Sequence, residues 1–321
     1  MEGISDESFC LFGAEALLKR LEALEKEIEG VYKADDIECI HRMRVASRRL
    51  RSVFILFNGC FKNTKRWRKE IRFITRILGS ARDLDVQIEF LQGFLSDLTE
   101  QRHKPGIKRL LLRLQQKREK MQSKIISNME QLHTSRVLNE IAESALIIRN
   151  LAHLHHKDKY SQQLYEQAYM AISLQLGEFL SYERYVYQPD NISELHEMRI
   201  SAKRLRYTME VFAPIYKDEL DLPIKATREI QTILGDFHDC AVWVEYLPKL
   251  LDKEKAYTLE YFGNTRSFNR LKAGILYLKE NRKKHQTECY NNFVNFWEHT
   301  QDQDVWKNLS KQILRDVTTK E

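Results

Sequence analysis

His41-Arg42-Met43-Arg44-Val45-Ala46-Ser47-Arg48-Arg49-Leu50-Arg51 and His196-Glu197-Met198-Arg199-Ile200-Ser201-Ala202-Lys203-Arg204-Leu205-Arg206 are two copies of one pattern, 155 residues apart. The shift sets His41 on His196, Arg44 on Arg199, Arg48 on Lys203, Arg49 on Arg204, Arg51 on Arg206 and Phe57 on Phe212. Each residue advances about 100° around an α-helix, so His41, Arg44, Arg48 and Arg51 fall within a sector roughly 80° wide. Met43, Ala46, Leu50, Val53, Phe54 and Phe57 fall opposite, as do Met198, Leu205, Met209 and Phe212. One face of each helix is predicted to bury in a core. The other presents a row of positive charge about 15 Å long. Arg49 and Arg204 sit on the flank.

A second block repeats with an offset of 156. Lys69, Arg72 and Arg76 precede Ile77-Leu78-Gly79-Ser80-Ala81-Arg82-Asp83, and Lys225, Arg228 and Thr232 precede Ile233-Leu234-Gly235-Asp236-Phe237-His238-Asp239. Gly79 and Gly235 read as helix C-caps. Asp83 and Asp239 then fall in the first turn of a following helix, where a carboxylate suits the dipole and can orient the flanking Arg49 and Arg204. A weaker echo pairs Leu114 and Arg118 with Leu278 and Arg282. Order is kept while offsets drift, as a duplicated unit with loop insertions requires.

These residues resemble the CHAD family, the conserved histidine α-helical domain. Its hallmarks, an HxxRxxxRRLR-like helix and an LGxxRDxD-like corner, stand here at residues 41–51 with 78–85, and again at 196–206 with 234–239. The resemblance spans residues 8–310. It implies two pseudo-symmetric antiparallel helical bundles, at about 8–155 and 159–310, with 311–321 as a C-terminal tail. It further implies that their basic faces line a central groove or pore that binds inorganic polyphosphate. The second copy departs from the pattern at Lys203, Thr232 and His238, so the two halves need not contribute equally.

Composition fits an all-α chain. Of 321 residues 43% are hydrophobic and 31% charged, which suffices for a large core, and 11 Gly and 5 Pro leave long stretches uninterrupted. Leu17, Leu18, Leu21, Leu24 and Ile28 form a helix-period stripe, as do Leu110, Leu111 and Leu114. No apolar run reaches the roughly 18 residues that span a bilayer. The five cysteines (10, 39, 60, 240, 289) form no CxxC pair and suit reduced, mostly buried thiols in the cytoplasm. Net charge is only +6, but residues 40–82 hold thirteen Lys or Arg against one acid, Glu70. Residues 196–238 hold seven of each sign, yet keep cations at the repeated positions. That distribution points to a site rather than a generally basic surface.

A charged helix face is ordinarily a solvated one, mixing signs for i,i+4 pairs. Here like charges stand three and four apart, which is unfavourable unless an anion relieves it, and the arrangement occurs twice. The candidate polyphosphate ligands are therefore His41, Arg44, Arg48, Arg51, Lys69, Arg72, Arg76, His196, Arg199, Lys203, Arg206, Lys225 and Arg228, with Arg82, His238, Arg118 and Arg282 ranked below them. Both histidines are expected to act as cationic donors to phosphate oxygens. The Trp residues (67, 243, 297, 306) are expected in the core, away from the basic rows. His153, His155 and His156 read as a loop between the halves rather than a metal site. No cofactor and no metal is expected. The partner that the resemblance implies is inorganic polyphosphate, with polyphosphate-granule proteins as further candidates. An enzyme acting on phosphate chains is the first rival, although phosphoryl transfer needs carboxylates for Mg²⁺ that the rows lack. A nucleic-acid-binding protein is the second, disfavoured because aromatics do not interleave with the cations.

Overall fold

A computed structural model describes residues 6–33, 36–155 and 160–318, and in it the chain is helical with no strand among these residues. In order the helices are α1 (Glu7–Glu25), α2 (Ile28–Lys33), α3 (Ile37–Leu56), α4 (Thr64–Asp97), α5 (Lys104–Thr134), α6 (Val137–Leu154), α7 (Gln162–Leu180), α8 (Ile192–Tyr216), α9 (Asp221–Phe262), α10 (Phe268–Asp302) and α11 (Val305–Thr318). Local chemistry starts several of them. Asp36 accepts from the Glu38 amide at 2.8 Å ahead of α3, and Ser161 accepts from the Leu164 amide at 3.2 Å ahead of α7.

The apolar faces anticipated for α3 and α8 are buried. Met43, Leu50, Val53, Phe54, Phe57, Met198, Leu205 and Met209 are wholly enclosed, and Phe212 is 1% exposed. Each such side chain contributes about 1.5–3 kcal/mol of transfer free energy, set against its ordering entropy. α3 packs on α1 and α4, and α8 packs on α7 and α9. The halves share this core: the Phe212 ring lies 6.0 Å from Phe12 and 5.9 Å from Phe57. All four tryptophans are buried.

A second, smaller core joins the far ends of the long helices. Leu84, Leu91, Ile107, Leu110 and Leu114 from the first half meet Trp243, Leu247, Leu250, Ile275 and Leu278 from the second. α5 and α10 touch backbone to backbone there, for a Cβ on Gly106 would stand 2.2 Å from the Leu271 carbonyl oxygen. Along α4 and α9 the residues after Ala81 and Phe237 pass from the large core to the small one. Asp83 and Asp239 stand at that junction.

Three expectations need correction. Cys10 and Cys60 are joined by a disulfide across 50 residues, tying α1 to the turn after α3, while Cys39, Cys240 and Cys289 are buried free thiols. Contact between the two termini of α1 and α3 creates that pair, and no local spacing announces it. His153 lies within the last turn of α6 and not in a loop, while His155 follows that helix in a turn and pairs with Glu7 at 3.2 Å; His156 lies outside the described residues. The tail boundary at 310 falls inside α11, whose Leu309 and Ile313 are fully buried.

Candidate functional site

α3, α4 and α8 place cations from both halves around one cavity of about 520 Å³. Arg44, Arg48 and Arg51 come from α3, Arg72 and Arg76 from α4, and Lys203 and Arg204 from α8, beside Thr75, Gly79, Ser80, Asp83 and Tyr207. Among the described residues Arg48, Arg51, Arg72, Arg76, Arg199 and Lys203 form no ion pair, and Arg44 reaches only the exposed Asp83, at 3.8 Å. Burial and mutual repulsion show in their ionisation. Burial, then the charges of Arg48, Arg199 and Arg44, brings the Lys203 ammonium down to about 7. Burial and Arg48 lower Arg44 to about 10. The Nε atoms of Arg44 and Arg199 are buried without a hydrogen-bond partner. Assembled cations with free donors are unfavourable until an anion satisfies them.

Gly79 and Gly235 do not end helices. Both lie well inside continuous helices, α4 and α9, so Asp83 and Asp239 are mid-helix rather than in a first turn. The glycines clear space for the arginines: a Cβ on Gly79 would stand 3.3 Å from the Arg44 Nε, and one on Gly235 3.3 Å from the Arg199 Nε. The aspartates accordingly attend Arg44 and Arg199, not the flanking pair. Arg49 instead donates to Glu210 at 3.0 Å, and Arg204 pairs with Glu178.

Several proposed ligands are occupied or elsewhere. Arg206 is nearly buried and donates to Glu210 at 2.9 Å and to Gln231 at 3.2 Å, so it is not the free counterpart of Arg51. Arg118 is bound by the buried Asp85 at 2.7 Å, and Arg82 by Glu38 at 3.0 Å. Arg282 donates to Asn281 and covers the Phe90 ring at 4.4 Å. Lys69 lines a separate cleft of about 700 Å³ between α4 and α5, which Arg72 and Arg76 also border. Lys225 is exposed on α9. Arg228 lines another cavity, of about 670 Å³, with Lys19, Arg20, His41, Arg49 and Glu210.

The histidines do not line the 520 Å³ cavity, and His41 borders the one that holds Arg228. The Nδ1 atoms of His41, His196 and His238 are buried with no partner, and the His196 and His238 rings lie 3.9 Å apart. Burial lowers all three, aided by Arg82 at His41 and by Arg199 at His196; His238 falls to about 4 through burial and His196. The free protein therefore keeps them neutral near pH 7, and an anion would have to recharge them.

Sequence reasoning missed Arg20, Tyr207 and Glu210. Arg20 has a buried Nε without a partner and faces Arg49 and Glu210 from α1, a helix outside the visible repeat. Glu210 was signalled: it stands where the first copy has Ile55, a departure readable from the alignment of the two copies.

Comparison with known proteins agrees with this architecture. The crystal structure of the CHAD domain from the plant Ricinus communis superposes with a TM-score of 0.64 at 20% identity, covering 89% of this chain and 91% of that one, which establishes a shared fold. No curated protein matches the sequence. The family model described as CHAD domain matches residues 15–248, most of the chain, and the chain belongs to the CHAD domain family.

Proposed function

We propose that the chain binds inorganic polyphosphate in the cavity between α3, α4 and α8, as a binding module and not a catalyst. One observation carries this reading: cations from both halves converge on a single cavity with almost no carboxylate of the protein to balance them. Guanidinium forks suit phosphate oxygens, Lys203 adds a compact point charge, and a polymer without bases or sugars presents nothing else to recognise. Asp83 attends Arg44 at 3.8 Å, and the charge of Arg199 acts on Asp239 without forming an ion pair.

Titration with phosphate, tripolyphosphate and long-chain polyphosphate between 50 and 300 mM salt tests it. Affinity should rise with chain length. With five or six cations engaged, log Kd against log salt should have a slope of about 4 to 5, extrapolating from nucleic acids. A flat salt response, or equal affinity for DNA or RNA at matched charge, overturns the reading. A phosphate-release assay with Mg²⁺ or Mn²⁺ should stay blank. No described helix is long and apolar enough to cross a membrane. The same proposal sets the protein at polyphosphate granules in the cytoplasm, with granule proteins as partners. Thiol labelling in cells tests that location, because a Cys10–Cys60 disulfide that persists there would overturn it.

A further inference from the structure

Two basic cavities beside α3 contain equivalent positions of the duplication. Ile200 and Arg204 line the first, and Val45 and Arg49, their equivalents, line the second. Arg72 lines the first and its equivalent Arg228 the second. The match is partial, since α1 lines only the second cavity, through Lys19, Arg20 and Lys26, and one shared position differs in charge. Ile55 borders the first cavity, and Glu210 takes that place in the second.

That carboxylate is 12% exposed and fully engaged. Its Oε2 accepts from Nε and Nη2 of Arg49, both at 3.0 Å, and its Oε1 accepts from Nη1 of Arg206 at 2.9 Å. Two oxygens thus bridge arginines from opposite halves, as a phosphate group would. The first cavity has no carboxylate so engaged: its Asp83 stays exposed at 3.8 Å from Arg44, and Arg48, Arg51, Arg72, Arg76 and Lys203 form no ion pair among the described residues.

We propose that Glu210 is a built-in counterion that stands in for ligand at the second cavity, withholding Arg49 and Arg206 and confining tight polyphosphate binding to the first. This rests on the functional reading above. The ordinary alternative is that Glu210 merely staples the halves together, and the two make different predictions.

Glu210→Gln and Glu210→Ile, the latter installing the residue of the first copy, should bind long-chain polyphosphate about 3- to 10-fold tighter at 150 mM salt. The log–log salt slope should steepen by about 1 to 2, one step for each arginine released. A pure staple would give variants of lower thermal stability with unchanged affinity and slope, and that result overturns the proposal. Should losing the partner of Arg206 unfold both variants, Arg49→Gln in the otherwise unchanged chain decides. A withheld Arg49 leaves the slope unaltered, whereas Arg48→Gln lowers it by about 1. A drop of the same size for Arg49→Gln overturns the proposal. A wild-type chain indifferent to polyphosphate fails at the earlier step, and the wild-type titration alone reveals that.

Discussion

Arg44 crosses Gly79 so closely that a Cβ on the glycine would come within 3.3 Å of the guanidinium Nε, and Arg199 repeats this over Gly235. A methyl group there displaces the end of a flexible side chain and leaves the backbone alone. Alanine in mid-helix is also favoured over glycine by about 0.5–1 kcal/mol. Gly79→Ala and Gly235→Ala are therefore expected to hold or raise the melting temperature while weakening polyphosphate binding, separably by calorimetry and titration.

Arg44 and Arg199 carry charge into a crowded interior and leave Nε atoms unsatisfied. Replacing both with methionine keeps much of the packing volume and removes the repulsion. The Arg44→Met/Arg199→Met double variant should lose most binding, by about 100-fold or more at two charge-assisted contacts, with no loss of thermal stability. Unfolding of this variant would mean that the pair is structural.

Lys203 gives stability and affinity opposite pH trends. Its ammonium titrates near 7 in the folded free protein, below the unfolded value of 10.5, so the unfolded chain binds more protons in between. Stability of the free protein should rise as pH goes from about 7 to 10. A bound polyanion raises the lysine's pKa, so binding takes up a proton and affinity should fall across the same interval, by up to about tenfold per unit. Below pH 7 the histidines act in the same direction, gaining charge in the complex. Lys203→Met should flatten both curves above pH 7, read by melting temperature and isothermal titration.

Arg118 and Arg282 align in the weakest echo of the repeat, yet their removal should differ. Arg118→Ala strands the 5%-exposed Asp85 carboxylate, at a cost of about 3–5 kcal/mol. Arg282→Ala loses a contact with Asn281 and the Phe90 ring and should cost about 1 kcal/mol. Chemical denaturation of the two variants measures the gap, and similar costs would contradict the assignment.

The buried faces of α3 and α8 were legible because periodicity reports burial directly, down to Phe57 and Phe212. The glycines were misread for a physical reason. A glycine between a helix-period run and an aspartate signals termination locally, and only the third dimension shows an arginine lying on it. Acid partners were largely hidden, since Glu178 and Asp85 come from other helices and Glu210, four residues after Arg206, shows only when the two copies are compared. Thus Arg206 and Arg118 look free in sequence and are spoken for in space. The disulfide and the Arg20 contribution likewise depend on where α1 docks.

The basic cavity is flanked by two apolar clasps, the shared phenylalanine core on one side and the glycine-tightened tip of the long helices on the other. Its walls cannot swing apart without exposing one of them to water, so its width is set before any guest arrives. Capture should then leave amide exchange in α3 and α8 nearly unchanged, and stiff, bulky polymers such as duplexes should be turned away by girth rather than by charge.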